Sequence, residues 1–485
     1  MNILFVSSEV APFAKTGGLG DVCAALPKAL HALGHDVRVV VPMYARVRAP
    51  GRTFELVVPD VTVQLGSKRV TFSIYTAPLP GTDVPVYFVR CAALYDRAAI
   101  YTQDPDEHLR FTALVWAALK TCQHLGWSPD IAHANDWTSA LLPLAIKTVF
   151  AWDKLFANTR TVLTIHNIGH QGSFGANVLF ETGFAEVAHH FHQDQLREGR
   201  LNFLLTGILY ADAITTVSPT YAREIQTPEH GAGMDPFLRM RGRAVVGILN
   251  GIDEDEWSPE RDARIPHRYG VDDLDGKERC KQHLLASMGL TYDPRVPVVG
   301  VVSRLVWQKG FELCTSVLPR ALSRRPMQLV ALGAGEDRYV DLFSHLANHY
   351  TRRVAYHAGF NENLAHLIEA GSDVFLMPSR YEPCGLNQMY SLRYGTPPVV
   401  HRTGGLADTV RNWSPRARTG NGFAFEHFDE GGLAWGLHTA LDTWGDGQGE
   451  HRENWRALQR NGMTERLGWQ HRVEEYVAVY KALGV

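Results

Sequence analysis

The stretch Thr16-Gly17-Gly18-Leu19-Gly20-Asp21 and its near copy Thr403-Gly404-Gly405-Leu406-Ala407-Asp408 each follow a short apolar run and precede a helical pattern. Paired glycines allow the backbone to approach an anion closely, and the helix N-terminus behind them offers N–H groups and the positive end of the helix dipole. One such loop is a weak signal, because many glycine turns after a strand only make a tight bend. One copy in each half of the chain favours a phosphate-bearing ligand held by two domains.

Composition is typical of a large globular enzyme. The 485 residues exceed what one hydrophobic core usually serves, so we expect two domains. A formal net charge of −3 gives no electrostatic case for binding nucleic acid or an anionic membrane. The six cysteines have no CxxC spacing and indicate neither a zinc site nor a disulfide framework. The N-terminus predicts a strand rather than a signal peptide, and we expect a cytoplasmic protein.

Short apolar runs rich in β-branched residues alternate with amphipathic stretches, as in parallel sheets covered by helices. The segments 53–65 and 70–89 instead predict an antiparallel hairpin addition. Two series of this kind predict an α/β protein with two Rossmann-like domains facing each other across a deep cleft. The predicted strands are 3–6, 37–41, 131–134, 161–165 and 213–217, then 298–302, 328–332, 354–357, 374–377 and 398–400, and helices are predicted at 22–33, 109–125 and 202–210.

The domain boundaries follow from the break between the two series. We expect an N-terminal domain over 1–248, a linker over 249–269 and a C-terminal domain over 270–458. The tail 459–485 contains a helical stretch that we expect to pack back on the first domain. The two glycine loops occupy different places in their series, so their likeness indicates shared chemistry rather than an internal repeat.

A third motif, Ser379-Arg380-Tyr381-Glu382-Pro383-Cys384-Gly385-Leu386, follows a predicted strand and opens a helix. Proline pushes Glu382 out of the helical region, and the helix after Gly385 and Leu386 can present N–H groups to a diphosphate. A carboxylate beside such a helix start suits a sugar nucleotide. The alternative for Glu382 alone is an N-cap or a surface acid.

Together these strings resemble the family of bacterial glycogen synthases and plant starch synthases, which are retaining glucosyltransferases of the GT-B fold. They occur in family order from residue 1 to about 410. Asn387 departs from the threonine common in the family, a change that affects at most the diphosphate contact. The motifs that carry the resemblance are 15–22 (KTGGLGDV), 133–137 (HANDW), 164–167 (TIHN), 249–253 (LNGID), 303–305 (SRL), 308–310 (QKG), 382–386 (EPCGL) and 402–410 (RTGGLADTV).

The resemblance implies transfer of glucose from ADP-glucose to an α-1,4-glucan acceptor such as glycogen, without a cofactor or a metal. Breaking the bond from the anomeric carbon to phosphate leaves charge on the diphosphate, and two cations, Arg304 and Lys309, can stabilise it. Backbone N–H groups near Gly385, Leu386, Gly404 and Gly405 are expected to assist. Solvated surface charge is the alternative for either cation alone. The lysine in the first loop accompanies ADP-glucose use in the family, although UDP-glucose stays open.

On the sugar side, Glu382 is expected to accept hydrogen bonds from glucose hydroxyls, with Asp136 and His166 beside the glucosyl unit. The alternatives are structural roles for His166 and Asp21 and a packing role for Tyr95. Cys384 has no identifiable histidine base and is interpreted as a small residue in the turn. The further predicted donor contacts are Lys15, Gly18, Asp21, Tyr95, Asn167, Asn250, Cys384, Gly385, Leu386, Thr403, Gly404 and Gly405.

Several alternatives stay open at this point. The resemblance favours front-face substitution, in which the leaving phosphate helps to deprotonate the acceptor, but double displacement through a carboxylate is not decided. A UDP-glucose-using enzyme of the same fold, a glucan phosphorylase and a non-catalytic glucan-binding relative are the rival functions. The oligomeric state is not predicted.

Overall fold

The computed structural model describes residues 1–49, 51–242 and 245–485, and the chain divides into two compact units. The first unit consists of Met1–Gly251 together with Trp469–Val485, and the second of Ile252–Gly468. The first crossing lies inside the predicted linker 249–269, and the second lies inside the predicted tail 459–485. Residues 252–269 belong to the second unit because their side chains pack there, as when the buried Tyr269 hydroxyl donates to the Tyr394 carbonyl at 2.8 Å. The segment 459–468 also belongs to the second unit.

The first unit is built on a buried sheet with an antiparallel extension. In the described part of the chain, its strands are β1 (Asn2–Val6), β2 (Asp36–Pro42), β3 (Glu55–Leu65), β4 (Lys68–Pro78), β5 (Pro85–Arg90), β6 (Ile131–Asn135), β7 (Arg160–Ile165), β8 (Ser173–Gly175), β9 (Arg200–Asn202), β10 (Ala213–Thr216) and β11 (Val245–Gly247). The main sheet has the order β11-β10-β7-β6-β1-β2-β5-β4-β3, while β8 and β9 pair separately. The pairs β3/β4 and β4/β5 are antiparallel, and the other pairs of the main sheet are parallel.

The predicted strand 70–89 is in fact two strands separated by a turn, and the second of them, β5, lies parallel to β2 with Val86 opposite Val39. The helices of this unit cover the sheet, and α3 ends where Gly126 adopts φ of 58°, a left-handed cap that glycine accommodates. They are α1 (Gly18–Ala32), α2 (Ala92–Tyr95), α3 (Glu107–Leu125), α4 (Leu142–Lys147), α5 (Gln193–Arg197), α6 (Phe203–Tyr210), α7 (Pro219–Glu224) and α8 (Asp235–Arg241).

The second unit is a parallel α/β sheet. Its strands are β12 (Val298–Val302), β13 (Gln328–Gly333), β14 (Val354–Ala358), β15 (Val374–Met377), β16 (Pro398–His401) and β17 (Phe423–Phe425), in the order β14-β13-β12-β15-β16-β17. Strand β17 is too short for the sequence pattern to have revealed it. The helices are α9 (Asp275–Ser287), α10 (Cys314–Arg324), α11 (Asp337–His349), α12 (Glu362–Gly371), α13 (Asn387–Arg393), α14 (Gly404–Thr409), α15 (Glu430–Trp444) and α16 (Gly449–Met463).

The chain then returns to the first unit, where α17 (Val473–Ala482) packs against α1. The predicted return of the C-terminal helix to the first domain is confirmed, as is the α/β class of both units. Among the helices that the structure describes, none combines the length and apolar character needed to cross a membrane.

Candidate functional site

The first glycine loop joins β1 to α1, and a buried glutamate holds it in shape. The Glu9 carboxylate accepts hydrogen bonds from the Thr16 N–H at 2.6 Å, the Thr16 hydroxyl at 2.7 Å and the Gly17 N–H at 3.3 Å. The Thr16 and Gly17 N–H groups are thus bonded to Glu9 and hold the loop in this shape. Gly18, the first residue of α1, is exposed. Lys15 and Asp21, both predicted donor contacts, form an ion pair at 2.8 Å.

Asp136 and His166 come together at the carboxyl ends of the neighbouring strands β6 and β7. The Asp136 carboxylate accepts from the backbone N–H groups of His166 at 2.7 Å and Asn167 at 3.4 Å, and His166 Nε2 lies 3.0 Å from Asn135 Oδ1. Burial raises the pKa of Asp136 to about 7, while the His166 and Asn167 N–H groups act against this shift and Glu9 adds to it. Burial lowers the pKa of His166 to about 3, so its imidazole is neutral at physiological pH. The strand ends thus hold a buried carboxyl beside an uncharged ring.

Asp136 also has an unusual backbone, with φ of 55° and ψ of −174°. For a residue other than glycine, this conformation costs on the order of 1–3 kcal/mol and persists only where the surroundings enforce it. The Asp136 N–H donates to the Thr164 carbonyl at 2.9 Å, which helps to hold the strained residue in place. Such strain is concentrated at functional sites, and it is an indication of function that no sequence pattern carries.

Two predicted donor contacts of the first unit, Tyr95 and Asn250, are buried in the structure. Tyr95 is fully buried and its hydroxyl donates to the Arg110 carbonyl at 2.7 Å, as the packing alternative requires. Asn250 is buried as well, and within the described residues its Oδ1 has no hydrogen-bond partner. A buried amide oxygen without a partner is costly, which makes Asn250 a candidate for meeting a ligand group.

In the second unit, the structure pairs Lys309 with Glu382. Lys309 ends a 3₁₀ turn after β12, and Glu382 lies in the loop between β15 and α13. The Lys309 ammonium lies 2.5 Å from Glu382 Oε2, and the Ser379 hydroxyl donates to the same oxygen at 3.0 Å. Both charged groups are mostly shielded from solvent, at 15% and 8% side-chain exposure. A cation and a carboxylate are thus fixed side by side, just before the start of a helix.

The second glycine loop touches the loop that carries Glu382. The Gly405 N–H lies 3.1 Å from the carbonyls of both Glu382 and Pro383. A Cβ atom would lie 1.9 Å from the Glu382 carbonyl oxygen at Gly404, and 2.1 Å from the Cys384 carbonyl oxygen at Gly405. We expected both glycines to let the backbone approach phosphate. The structure corrects this for Gly405, because its N–H is bonded to the neighbouring loop. Both positions need glycine because the two loops pack too closely to leave room for a Cβ atom.

The other predicted residues of the second unit have varied surroundings. Arg304 is exposed just after β12, and across the described residues its side chain makes no hydrogen bond or ion pair. Cys384 is buried in the turn, as its interpretation as a small filling residue requires. Leu386 immediately precedes α13, Gly385 has φ of 74°, and Thr403 is buried at the start of α14. The Asn387 amide donates to the Val302 carbonyl at 2.7 Å and so ties α13 to β12.

Sequence reasoning missed three residues that shape these loops: Glu9, Ser379 and Gln388. The Gln388 amide donates to the carbonyls of Cys384 and Gly385, each at 3.0 Å. The side chains of Glu9 and Gln388 act on backbone groups, whereas the Ser379 hydroxyl acts on the Glu382 carboxylate. Only the folded loop shows which group that is.

Comparison with known proteins agrees with this architecture. The starch synthase catalytic domain matches residues 2–240, and the glycosyl transferases group 1 domain matches residues 291–461. The chain is 44% identical to a glycogen synthase of Myxococcus xanthus, covering 100% of this chain and 99% of that protein. It is 41% identical to a glycogen synthase of Thermotoga maritima, with 99% and 98% covered. The catalytic domain of starch synthase IV from Arabidopsis thaliana, solved bound to ADP and acarbose, superposes with a TM-score of 0.90 at 31% identity, with 99% of both chains covered.

Two α/β units with parallel sheets and these matches define a glycosyltransferase of the GT-B class. The predicted resemblance is therefore confirmed. The chain belongs to the family of bacterial glycogen synthases and plant starch synthases. Its substrates are a nucleotide-sugar donor and a glucan acceptor.

Proposed function

We propose that this protein transfers glucose from ADP-glucose to the 4-hydroxyl at the non-reducing end of an α-1,4-glucan, with retention of configuration, and so elongates glycogen. The observation that carries the proposal is the shielded pair of Lys309 and Glu382 before α13. A sugar nucleotide offers hydroxyls next to a diphosphate, and this pair offers a carboxylate next to an ammonium. The ADP bound to the Arabidopsis starch synthase supports the choice of donor.

In the proposed reaction, the bond from the anomeric carbon to the diphosphate oxygen breaks and a bond to the acceptor oxygen forms. The proton of the acceptor hydroxyl passes to the departing diphosphate, on which negative charge accumulates as the bond breaks. Arg304 and Lys309 would stabilise that charge as fixed cations, assisted by N–H groups at the start of α13. The second glycine loop would contribute by holding the Glu382 loop, since the Gly405 N–H is already engaged there.

On the sugar side, we assign contacts to Glu382, Asp136 and His166. Glu382 would accept from glucose hydroxyls once the donor draws Lys309 toward phosphate. The low pKa of His166 keeps its imidazole uncharged, so the ring can act as a neutral hydrogen-bonding group without repelling the positive charge that develops at the anomeric carbon. Lys15 would contact the donor phosphate from the first loop, with Gly18 letting the backbone approach and Asp21 orienting Lys15 through their ion pair. Asn167 and Asn250 would complete the polar contacts.

The test is product formation from ADP-glucose and from UDP-glucose, side by side, on a glycogen primer. We expect faster transfer from ADP-glucose, and we expect the rate to be unchanged by a chelator because the cations replace a metal. Faster transfer from UDP-glucose would favour the alternative donor. Binding of glucan without transfer from either nucleotide would favour a non-catalytic relative, and synthesis from glucose 1-phosphate would indicate a phosphorylase.

A further inference from the structure

A group of metal-ligand side chains lies in the second unit, among residues that the predicted site does not use. Glu362 begins α12 and His366 follows one turn later, so both side chains lie on one face of the helix. Glu256 lies on the segment that enters this unit. One ligand atom from each of the three residues lies within 4.8 Å of the others.

His366 is completely buried and its ring is fixed on two sides. Its Nδ1 lies 2.7 Å from Asp262 Oδ2, which also accepts from the Tyr394 hydroxyl at 2.6 Å. Trp257 stacks on the imidazole with ring centroids 3.7 Å apart. The other ring nitrogen, Nε2, lies on the side of Glu362 and Glu256. Carboxylate–histidine pairs of this kind orient histidine ligands in metal sites.

His366 Nε2 has no hydrogen-bond partner within the described residues. Its nearest carboxylate oxygen, Glu362 Oε1, lies 3.7 Å away, which is too far for a hydrogen bond. Two atoms that bind one cation at about 2.0–2.2 Å each can stand at such a separation, with small adjustment. Three carboxylates, those of Glu256, Glu362 and Asp262, lie around His366, and the Arg264 guanidinium lies 3.4 Å from Glu256 Oε1.

We infer that His366 Nε2, Glu362 and Glu256 form a binding site for a divalent transition-metal ion, with Zn²⁺ the best fit, and that Asp262 positions the histidine. One imidazole and two carboxylates suit Zn²⁺, while Mg²⁺ prefers oxygen ligands alone. Three protein ligands leave a coordination position for water. The ion would tie the segment around Glu256 to α12 and stabilise the second unit, independently of glucosyl transfer.

The experiment uses the full-length protein after chelator treatment and removal of the chelator. We expect ZnCl₂ titration to show saturable binding of one ion at this site with a rise in unfolding temperature, and MgCl₂ at the same concentration to have no such effect. Glu362→Gln and Glu256→Gln, which alter side chains with solvent access, should each abolish this rise. Asp262→Asn should weaken zinc binding about 10–100-fold.

The matched control is His349→Asn on α11. His345 and His349 also stand four residues apart, with stacked rings 6.0 Å between centroids, and offer zinc a pair of imidazoles outside the proposed site. The control should keep the zinc response. The proposal is overturned if zinc does not stabilise the protein, if the response survives both glutamate substitutions, or if it is lost in His349→Asn. Co²⁺ absorption bands that vanish in Glu362→Gln would support inner-sphere coordination, and an unchanged spectrum would count against it.

Discussion

At the scale of single residues, Asp136 combines a strained backbone with a carboxyl that burial holds at a pKa of about 7, against an ordinary value of 3.8. Between these two values, the folded state binds the proton more tightly than the unfolded state. The free energy of unfolding therefore falls as pH rises through this window, and the full destabilisation by the buried, ionised Asp136 carboxylate is present above pH 7. A residue that is kept despite such a cost is a candidate for function.

We predict that Asp136→Asn removes this cost while impairing glucosyl transfer. The free energy of unfolding of the variant, relative to the parent protein, should improve by up to about 4 kcal/mol from pH 4 to pH 8. Asparagine keeps an oxygen to accept from His166 but cannot ionise. Denaturant unfolding at a series of pH values measures the effect, and a transfer assay measures the loss of activity.

Asp212→Asn is the control of opposite sign. Burial acts to raise the Asp212 pKa, but hydrogen bonds from Lys147 and Thr161 outweigh it and hold the pKa below its ordinary value. That carboxylate stabilises the fold above its unfolded pKa, and its loss should cost more stability as pH rises. Equal pH dependence in the two variants would contradict the assignment for Asp136.

The second residue-scale prediction concerns Arg304 and Lys309. If they stabilise charge on departing ADP, replacing either with alanine should lower turnover by about 10²–10³-fold, and donor binding by less. Arg304→Lys should also be poorly tolerated, since an ammonium does not reproduce the forked contacts of a guanidinium with phosphate. Steady-state kinetics with ADP-glucose separates turnover from KM.

Arg418→Ala, an exposed arginine of the same unit, is the matched control. Its stability should stay within about ±0.5 kcal/mol of the parent protein, with turnover intact. A folded Arg304→Ala or Lys309→Ala enzyme with near-parental transfer from ADP-glucose would refute the proposed leaving-group role.

At the scale of elements, the second unit depends on contact between two loops that each start a helix. The loop before α13 carries Glu382, and the first turn of α14 supplies the Gly405 N–H to it. Glycine is required here by the space that the neighbouring carbonyls take, so loop packing and the position of Glu382 are one structural feature.

We predict that Gly405→Ala lowers stability and transfer together. Its methyl group would lie 2.1 Å from the Cys384 carbonyl oxygen, so the two loops must separate. Overpacking of this kind costs about 1–3 kcal/mol. Gly431→Ala in the first turn of α15 is the control, because its nearest neighbour is the Asp429 carboxylate at 3.3 Å. Denaturant unfolding and turnover are measured for both; parental activity in Gly405→Ala would show that the contact does not position Glu382.

At the scale of the whole molecule, the chain returns to its first unit and completes that unit's core. Tyr480 on α17 is fully buried, and its hydroxyl lies 2.7 Å from Nδ1 of His133 on β6. Burial lowers the pKa of His133 to about 3, so this contact joins two uncharged groups inside the protein. The last residues are thus part of the first sheet's covering layer.

We predict that Tyr480→Phe destabilises the first unit by about 1–3 kcal/mol, since it leaves a buried imidazole nitrogen without its partner. Lys481→Ala, an exposed change on the same helix, should have little effect. Thermal unfolding monitors both variants, and hydrogen exchange at the amides of β6 localises the loss. Equal stability of Tyr480→Phe and the parent protein would show that the hydroxyl contributes nothing to the fold.

The amino-acid sequence by itself determined the features that depend on local pattern. Buried strands such as β1 and β12 appear as short β-branched runs, and the glycine and Glu382 motifs mark strand-to-helix loops. These signals were enough to predict the α/β class and the family. Buried parallel strands appear in the sequence as short apolar runs, and the helices that cover them appear as stretches with helical periodicity.

Tertiary structure alone decided which distant groups meet. The parallel pairing of β5 with β2, the burial of Tyr95, the hold of Glu9 on the first loop and the engagement of the Gly405 N–H all depend on residues far apart in the chain or on the shape of a loop. A sequence pattern records whether a side chain is apolar or charged. Which partner satisfies it, and at what cost in strain or pKa, is settled only when the backbone brings both groups into contact.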